Sequence, residues 1–224
     1  MRLIALDSAT GAPTLCLWAD GNVEGYWRGP RRSGPALIVK AVEQLLADTG
    51  LGWEGIDAIA FGRGPGAFTG VRLGVALVQG LALGAGLQVV PVSDLAALAW
   101  NAHRRHGWRE VVACLDARQH EVYWAAFRVD DEGEPRPHGP ERVTPPDEVA
   151  VSGADWAMAG SGLPLVGWRG PGAETEAPDA AAVAAIAAGL MRRGGAVAPE
   201  AAQPVYLRDR VASPSPRRHN RRLT

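Results

Sequence analysis

The sequence predicts an α/β protein made of two related lobes, and two observations lead to that class. Apolar strand-like runs alternate with helical periods from residue 2 to residue 103, in the order three strands, helix, strand, helix, strand, helix. The opening pattern also recurs. The apolar run 3–7 has an echo 109 residues later at 112–116, and each run ends in an aspartate followed by a turn and another strand. The recurrence indicates an internal duplication, with chance similarity as the alternative.

The composition is that of an ordinary globular protein. The 224 residues are 47% hydrophobic and 21% charged, with a formal net charge of −1, which allows a sizeable core and argues against a wholly disordered chain. The cysteines, Cys16 and Cys114, both lie inside apolar runs. A disulfide framework is therefore excluded, and a reducing cytoplasm is expected. The apolar run after Arg2 is too short for a secretory signal.

Three antiparallel strands are expected first, at residues 2–7, 14–19 and 23–28, the last two joined by the hairpin signal Asp20-Gly21. An amphipathic helix follows at 35–48, with proline in its first turn. Its apolar face is expected to contain Ile38, Val39, Val42, Leu45 and Leu46.

A glycine-rich loop at 62–70 leads into a second helix, at 69–84, that is apolar nearly all round. The uncharged run 73–93 is as long as a membrane span, but it contains four glycines and Pro91, and it ends in a strand at 87–92. We therefore expect a buried helix followed by a strand, and no membrane segment.

Glycines recur along one side of this second helix. On a helical wheel one arc of about 120° contains Gly70, Gly74, Gly80 and Gly84, together with Leu73, Leu77 and Leu81. Each glycine inside a helix costs about 1 kcal/mol relative to alanine, so the stripe indicates that another backbone packs closely there. That backbone belongs either to the chain's own sheet or to a second chain, and the residues leave both open.

The second half continues the alternation of strands and helices. The expected elements are a linking helix at 93–103, strands at 111–116, 121–129 and 156–160, and a last helix at 180–193. Asp179 is expected to cap the last helix, and residues 171–178 are expected to form a loop. Residues 208–224 carry six arginines and one aspartate. They either touch a polyanion such as RNA or form a disordered terminus, and we prefer the second interpretation.

Familiar catalytic motifs do not fit the sequence. The glycine loop lacks the Lys-Ser/Thr of a phosphate loop and the third glycine of a dinucleotide fingerprint, and Thr69 is expected to cap the helix behind it. The histidines suggest no metal site, and Gly160-Ser161-Gly162 lacks the frame of a nucleophile elbow. Asp7 and Asp116 either face each other across a cleft and hold Mg-nucleotide or cap their own turns. We prefer the second interpretation.

Taken together, these segments resemble the TsaB family, also called YeaZ. The most specific stretch is the glycine loop with its helix, 62–74 and 79–82. Supporting matches are Leu6-Asp7-Ser8-Ala9-Thr10, 92–98, Leu115-Asp116-Ala117-Arg118 with Glu121-Val122-Tyr123, Gly160-Ser161-Gly162 and Tyr206-Leu207-Arg208. The resemblance covers residues 2–210. The chain departs from the family at Arg31-Arg32-Ser33, since many members have a histidine just before the first helix, and in the arginine-rich tail.

The resemblance implies an actin/hexokinase-like (ASKHA) fold, a duplicated two-lobe arrangement of mixed sheets flanked by helices. Residues 1–100 are then an amino-terminal lobe that carries the dimerisation helices. Residues 101–210 form a smaller second lobe, whose last helix is able to pack back on the first. Residues 211–224 are a basic, disordered tail.

The resemblance also implies a function. TsaB proteins are non-catalytic partners of TsaD, which transfers threonylcarbamoyl to the adenosine beside the anticodon of tRNAs that read ANN codons, and the ATPase TsaE joins the pair. TsaD holds a metal through a His-x-x-x-His helix motif, and the first helix here contains no histidine. The chain is thus expected to be a cytoplasmic scaffold that forms a homodimer when alone, reaches tRNA through the complex and has no membrane contact.

Site residues follow from the same resemblance. The partner interface is expected at Ile38, Val42, Leu45, Leu46, Gly70, Leu73, Gly74, Leu77 and Leu81. No catalytic residue, metal or firm cofactor is expected, although ATP or ADP could act at the level of the complex. Vestigial nucleotide contacts would be Asp7, Ser8, Thr10 and Asp116. The alternatives are a nucleotide-binding ASKHA ATPase and, more weakly, a glycoprotease-like peptidase.

Overall fold

The computed structural model describes residues 1–153 and 155–208. The strands are β1 Arg2–Asp7, β2 Thr14–Ala19, β3 Asn22–Arg28, β4 Ala58–Gly62, β5 Gln88–Val92, β6 Glu110–Arg118, β7 Glu121–Val129, β8 Pro135–Pro137, β9 Arg142–Thr144, β10 Ala157–Ala159 and β11 Gly172–Ala173. The α-helices are α1 Pro35–Thr49, α2 Phe68–Ala85, α3 Asp94–His106, α4 Leu163–Val166 and α5 Ala180–Arg192. The tail expected at 211–224 lies outside the described residues.

The first sheet has the strand order β3-β2-β1-β4-β5. β1 to β3 form an antiparallel meander in which Leu3 lies opposite Trp18, whereas β4 and β5 run parallel to β1. Parallel strands that are covered by helices on both faces are apolar throughout. Accordingly β1 is buried from Leu3 to Asp7.

The second sheet repeats this arrangement. Its order is β11-β10-β6-β7-β8, with β6 to β8 antiparallel and β10 and β11 continuing parallel to β6, while β9 also pairs with β7. Each strand of this order therefore has a counterpart in the first sheet: β6 corresponds to β1, β7 to β2, β8 to β3, β10 to β4 and β11 to β5. The correspondence confirms the predicted duplication, and it places Asp7 and Asp116 at equivalent positions near the ends of β1 and β6.

Helices and sheets alternate in layers. α1 and α2 cover the outer face of the first sheet, where Ile38 and Val78 share a core with Ile4 and Phe61. α3 and α5 lie between the two sheets and share a second core with residues of both. α5 contacts β1, β2, β4 and β5 of the first sheet. A third core on the outer face of the second sheet contains Trp124, Trp156 and Met158.

Some boundaries differ from expectation for local reasons. α2 begins at Phe68 with Ala67 as its N-cap and no side-chain cap, so the predicted capping by Thr69 is wrong. α3 continues to His106 and ends at Gly107, which adopts a left-handed conformation. The loop predicted at 171–178 contains β11, whose two residues give almost no periodic signal. Asp179 caps α5 as predicted, accepting the backbone N–H of Ala182 at 3.0 Å.

The burial of α2 is the main correction to the predicted fold. A helix followed by a strand is confirmed, but the helix is not buried throughout. Its buried residues are Val71, Gly74, Val75, Val78 and Ala82. Among the described residues, α2 is the one helix that has the length and composition to cross a membrane. Phe68, Ala76 and Leu83 are exposed, so part of the apolar surface of α2 faces solvent on the isolated chain.

Candidate partner-binding face and inter-lobe cleft

The expected interface residues of α1 face inward. Ile38, Val42, Leu45 and Leu46 are all buried in the core between α1, α2 and the first sheet. The amphipathic pattern was therefore interpreted correctly as a face, but that face is covered by the chain itself. These side chains fix the position of α1 and are not available to another molecule in this conformation.

The amino-terminal half of the glycine stripe also packs internally. A Cβ atom added to Gly70 would lie 2.1 Å from the backbone oxygen of Ser8, and one added to Gly74 would lie 2.5 Å from Ser8 Oγ. The Ser8 hydroxyl donates to the Gly70 carbonyl oxygen at 2.8 Å. Glycine is required here because the turn after β1 approaches the helix at backbone distance. Of the two alternatives, packing within the chain holds for this half.

The carboxyl-terminal half of the stripe is open. A Cβ atom added to Gly80 or Gly84 would meet no other atom within 4 Å. Leu73, Leu77 and Leu81 are half-buried, and Ala76 is exposed. Leu83, which sequence reasoning did not single out, is 56% exposed. We name the exposed surface of Leu73, Ala76, Leu77, Gly80 and Leu83 the α2 face.

A cavity of about 700 Å³ separates the two lobes. From the first lobe it is lined by Thr10, Arg31 and residues 65–68, and from the second by Asp116 and Ser161, among others. Of the four expected nucleotide contacts, Thr10 and Asp116 thus line one cavity. Asp7 and Ser8 are buried and are not among its lining residues.

Both aspartates cap their own turns. Asp7 Oδ1 accepts the backbone N–H of Ala9 at 2.7 Å, and Asp116 Oδ1 accepts that of Arg118, also at 2.7 Å. This equivalence is a local consequence of the duplication, because each carboxylate follows a strand and stabilises the bend of the next turn. The interpretation preferred from the sequence is therefore confirmed for one hydrogen bond of each residue.

A buried carboxyl pair, Asp7 and Asp94, was missed by sequence reasoning. Asp94 Oδ2 accepts the backbone N–H of Gly64, and its other oxygen meets no donor among the described residues. Burial raises the pKa of both residues, and it raises the pKa of Asp94 well above the usual range with help from the charge of Asp7. Two buried carboxylates cannot both ionise at low cost. Burial and the neighbouring charge of Asp7 therefore both favour the protonated form of Asp94 in the folded chain.

The signal for this pair was present in the sequence but was not specific. Asp94 follows Ser93, the N-cap of α3, and an acidic residue in the first turn of a helix is common on an exposed surface. Its pairing with Asp7 depends on two strands, β1 and β5, that are brought together only in the sheet.

Replacing Asp94 with asparagine is expected to flatten the pH dependence of stability. In the unfolded chain the carboxyl titrates near 3.8, and in the folded chain its pKa is higher. The protonated pair therefore stabilises fully below about pH 4, and this contribution is lost as the pH rises through the folded pKa. Asparagine retains an oxygen for Gly64 and an N–H for Asp7 at every pH. We expect Asp94→Asn to raise the free energy of unfolding at pH 8.

Denaturant unfolding at pH 5 and pH 8 measures this effect. Raising the pH from 5 to 8 should lower the free energy of unfolding of the unsubstituted chain by more than it lowers that of the Asp94→Asn variant. If the free energies of unfolding of the two chains changed with pH in the same way, the raised pKa of Asp94 in the folded chain would be contradicted.

The described part of the chain shows neither a metal-binding cluster nor a reactive thiol. Within residues 1–153 and 155–208, no group of three or more His, Cys, Asp or Glu side chains is arranged to hold a metal ion. Cys16 and Cys114 are buried, and burial raises the pKa of each thiol to about 12. Both thiols are therefore protonated at neutral pH and inert.

Two related sheets around shared helices, with a cleft between the lobes, make up a duplicated two-lobe fold of the actin/hexokinase-like (ASKHA) class. A model of the family described as TsaD, tRNA N6-adenosine threonylcarbamoyltransferase, matches residues 35–142. The solved structure of YeaZ from Pseudomonas aeruginosa is 41% identical, with a TM-score of 0.86 over 92% of this chain and 99% of that one.

Several curated relatives of this chain are TsaB proteins. The tRNA threonylcarbamoyladenosine biosynthesis protein TsaB of Escherichia coli is 38% identical over 95% of this chain and 96% of its own length. TsaB of Haemophilus influenzae is 43% identical over 56% of this chain and 53% of its own. The chain belongs to the TsaB (YeaZ) family of tRNA threonylcarbamoyladenosine biosynthesis proteins.

Proposed function

We propose that this chain is a non-catalytic subunit of the complex that transfers threonylcarbamoyl to N6 of adenosine in tRNA. It pairs with the TsaD subunit through the α2 face and supports the binding of TsaE, and it reaches tRNA through that complex in the cytoplasm. Alone, it forms a homodimer through the same face. ATP or ADP acts at the level of the complex, and the chain brings no metal of its own.

The exposed α2 face is the observation that carries this proposal. Monomeric proteins seldom leave a contiguous apolar surface on a regular element, and such a surface commonly marks an interface. Ala76 and Gly80 offer little side-chain bulk, and the half-buried Leu73 and Leu77 flank them. Small residues between leucines allow a second helix to approach to about 8–10 Å between axes. The surface is thus suited to helix pairing.

A sister subunit is the partner that this geometry favours. The TsaD family model matches residues 35–142, which include both α1 and α2. A TsaD subunit therefore has equivalent helices, and two such surfaces can pair about a two-fold or pseudo-two-fold axis. The same argument accounts for a homodimer when TsaD is absent.

Size-exclusion chromatography of the chain mixed with its cognate TsaD tests the proposal. We expect a single heterodimer peak at micromolar concentration, and light scattering of the chain alone should give twice the monomer mass. Two separate peaks in the mixture would overturn the pairing with TsaD, whatever the state of the chain alone.

A nucleotide-binding ASKHA ATPase is the second candidate, because Thr10 and Asp116 both line the 700 Å³ cavity between the lobes. Against it, Asp7 and Ser8 are buried and are engaged in hydrogen bonds within the chain. Titration calorimetry with ATP and Mg²⁺ separates the two functions. Heat and hydrolysis by the isolated chain would favour the ATPase.

A further inference from the structure

Three of the motifs quoted for the family have no role in helix pairing, yet they meet at one end of the cleft. They are Asp116-Ala117-Arg118, Gly160-Ser161-Gly162 and Tyr206-Leu207-Arg208. The last of them belongs to residues 204–208, which follow α5 and cross from the first lobe to the second. We name residues 204–208 the C-terminal strap. The strap residues Val205, Tyr206, Leu207 and Arg208 all line the inter-lobe cavity.

The strap is attached to the first lobe by its backbone. The N–H of Val205 donates to the carbonyl oxygen of Arg63 at 2.8 Å, in the loop after β4. Just before the strap, the carbonyl oxygen of Ala202 accepts the Gln79 side chain of α2 at 2.8 Å. These two bonds hold residues 202–205 against the first lobe, at the loop after β4 and at α2.

Tyr206 adds an attachment to the start of α2. Its hydroxyl accepts Nε of Arg72 at 2.6 Å, and its ring centroid lies 6.2 Å from that of Phe68. The Arg72 guanidinium carbon lies 3.5 Å from the Phe68 ring centroid. An arginine between two aromatic rings forms a cation–π contact as well as a hydrogen bond.

Arg208 attaches the strap to the second lobe. Its guanidinium donates to the carbonyl oxygens of Ala117 and Arg118, at 3.2 and 3.4 Å, and pairs with the Glu121 carboxylate. The Arg208 side chain is 17% exposed. A planar guanidinium is able to hold several acceptors at once in this way.

The turn that Arg208 holds has an unusual backbone. Arg118, Gln119 and His120 have φ angles of 63°, 56° and 59°, a left-handed conformation that residues with a side chain adopt only when their surroundings enforce it. Asp116 accepts the N–H of Arg118 and donates its own N–H to Ser161 Oγ at 3.2 Å. Asp116 and Arg208 thus hydrogen-bond the turn directly, and Ser161 holds the backbone of Asp116.

We infer that the C-terminal strap is an intramolecular latch between the lobes. It closes the cavity at the side of the β6–β7 turn and holds that turn in its left-handed conformation. A molecule that enters the cavity from this side must first displace the strap. The inference concerns the isolated chain and does not depend on pairing with TsaD.

Hydrogen exchange on the full chain tests the hold on the turn. Arg208→Ala is expected to speed the exchange of amides 115–121 by at least ten-fold, while the β1 amides keep their rate. Arg109→Ala is the matched control, because Arg109 also bonds a carbonyl oxygen and a carboxylate, those of Val129 and Asp131, but within the second lobe. Unchanged exchange of the turn in Arg208→Ala would overturn the inference.

A thiol reporter tests the closure of the cavity. Thr10→Cys places a reactive group on the cavity wall, and the buried native thiols give little background. Adding Arg208→Ala should raise the rate of modification of this thiol at least five-fold, and adding Arg109→Ala should not. An unchanged rate would show that the strap does not close the cavity, which also overturns the inference.

Arg208→Ala would be uninformative if it destabilised the whole fold, which faster exchange of the β1 amides would reveal. A milder variant covers that outcome. Tyr206→Phe removes only the exposed hydroxyl bond to Arg72. It should speed turn exchange two- to three-fold with β1 unaffected, and no local change would count against the latch.

Discussion

Replacing Leu83 with glutamate is expected to weaken both homodimerisation and the binding of TsaD by about 100-fold or more. Leu83 is 56% exposed on the α2 face, so the substitution should disturb the isolated fold little. In the proposed complex the new carboxylate would be buried without a partner. Such burial costs several kcal/mol, and about 2.7 kcal/mol corresponds to a factor of 100 in affinity. Sedimentation or titration calorimetry measures the change.

Leu165→Glu is the matched control for this experiment. Leu165 is a similarly exposed leucine, at 49%, but it lies in α4 on the second lobe. The same change of charge there should leave association intact. Equal loss of binding in both variants would point to a general effect of charge, and full binding by Leu83→Glu would place the partner on another surface.

Glycine-to-alanine substitutions at two positions of α2 are expected to change stability in opposite directions. Gly70→Ala places a Cβ atom 2.1 Å from the backbone oxygen of Ser8, and a backbone atom cannot move aside without displacing β1 and its turn. We expect a loss of about 3 kcal/mol or more, comparable to severe overpacking of a core. Gly80→Ala meets no atom within 4 Å and should stabilise by about 0.5–1 kcal/mol through helix propensity.

Thermal unfolding of the two variants, at a protein concentration where both are monomeric, distinguishes these effects. For a chain of this size, 1 kcal/mol shifts Tm by about 2–4 °C. Gly70→Ala should therefore unfold well below the unsubstituted chain and Gly80→Ala slightly above it. Shifts of the same sign would show that the stripe does not divide between an internal half and an open half.

The strands and their duplication could be predicted from the sequence because both depend on local patterns. β1, β2 and β7 have their predicted bounds, since a short apolar run between turn residues indicates a strand almost on its own. The repeat 3–7 and 112–116 was visible because each run ends in an aspartate that caps its turn. Near-neighbour interactions account for these successes.

The division of the glycine stripe could not be predicted, because it depends on which part of α2 the turn after β1 crosses. A wheel places Gly70 and Gly80 on one side of the helix, but only the tertiary path of Ser8 makes one of them essential. The same limit applies to α1, whose apolar face was correctly identified but assigned to a partner. The Asp7–Asp94 pair was missed because its members are distant in sequence.

The layer formed by α3 and α5 has a consequence for how this duplicated protein unfolds. α5 belongs by sequence to the second repeat, yet it packs on β1 and β2 of the first, and Thr14 Oγ1 accepts the N–H of Ala180 at 2.9 Å. A fragment that ended before Ala180 would leave one side of its own central strands bare to water. α3 in turn packs on β6 and β7 of the second sheet, so each half depends on a helix from the other, and we expect the two halves to unfold in one cooperative transition.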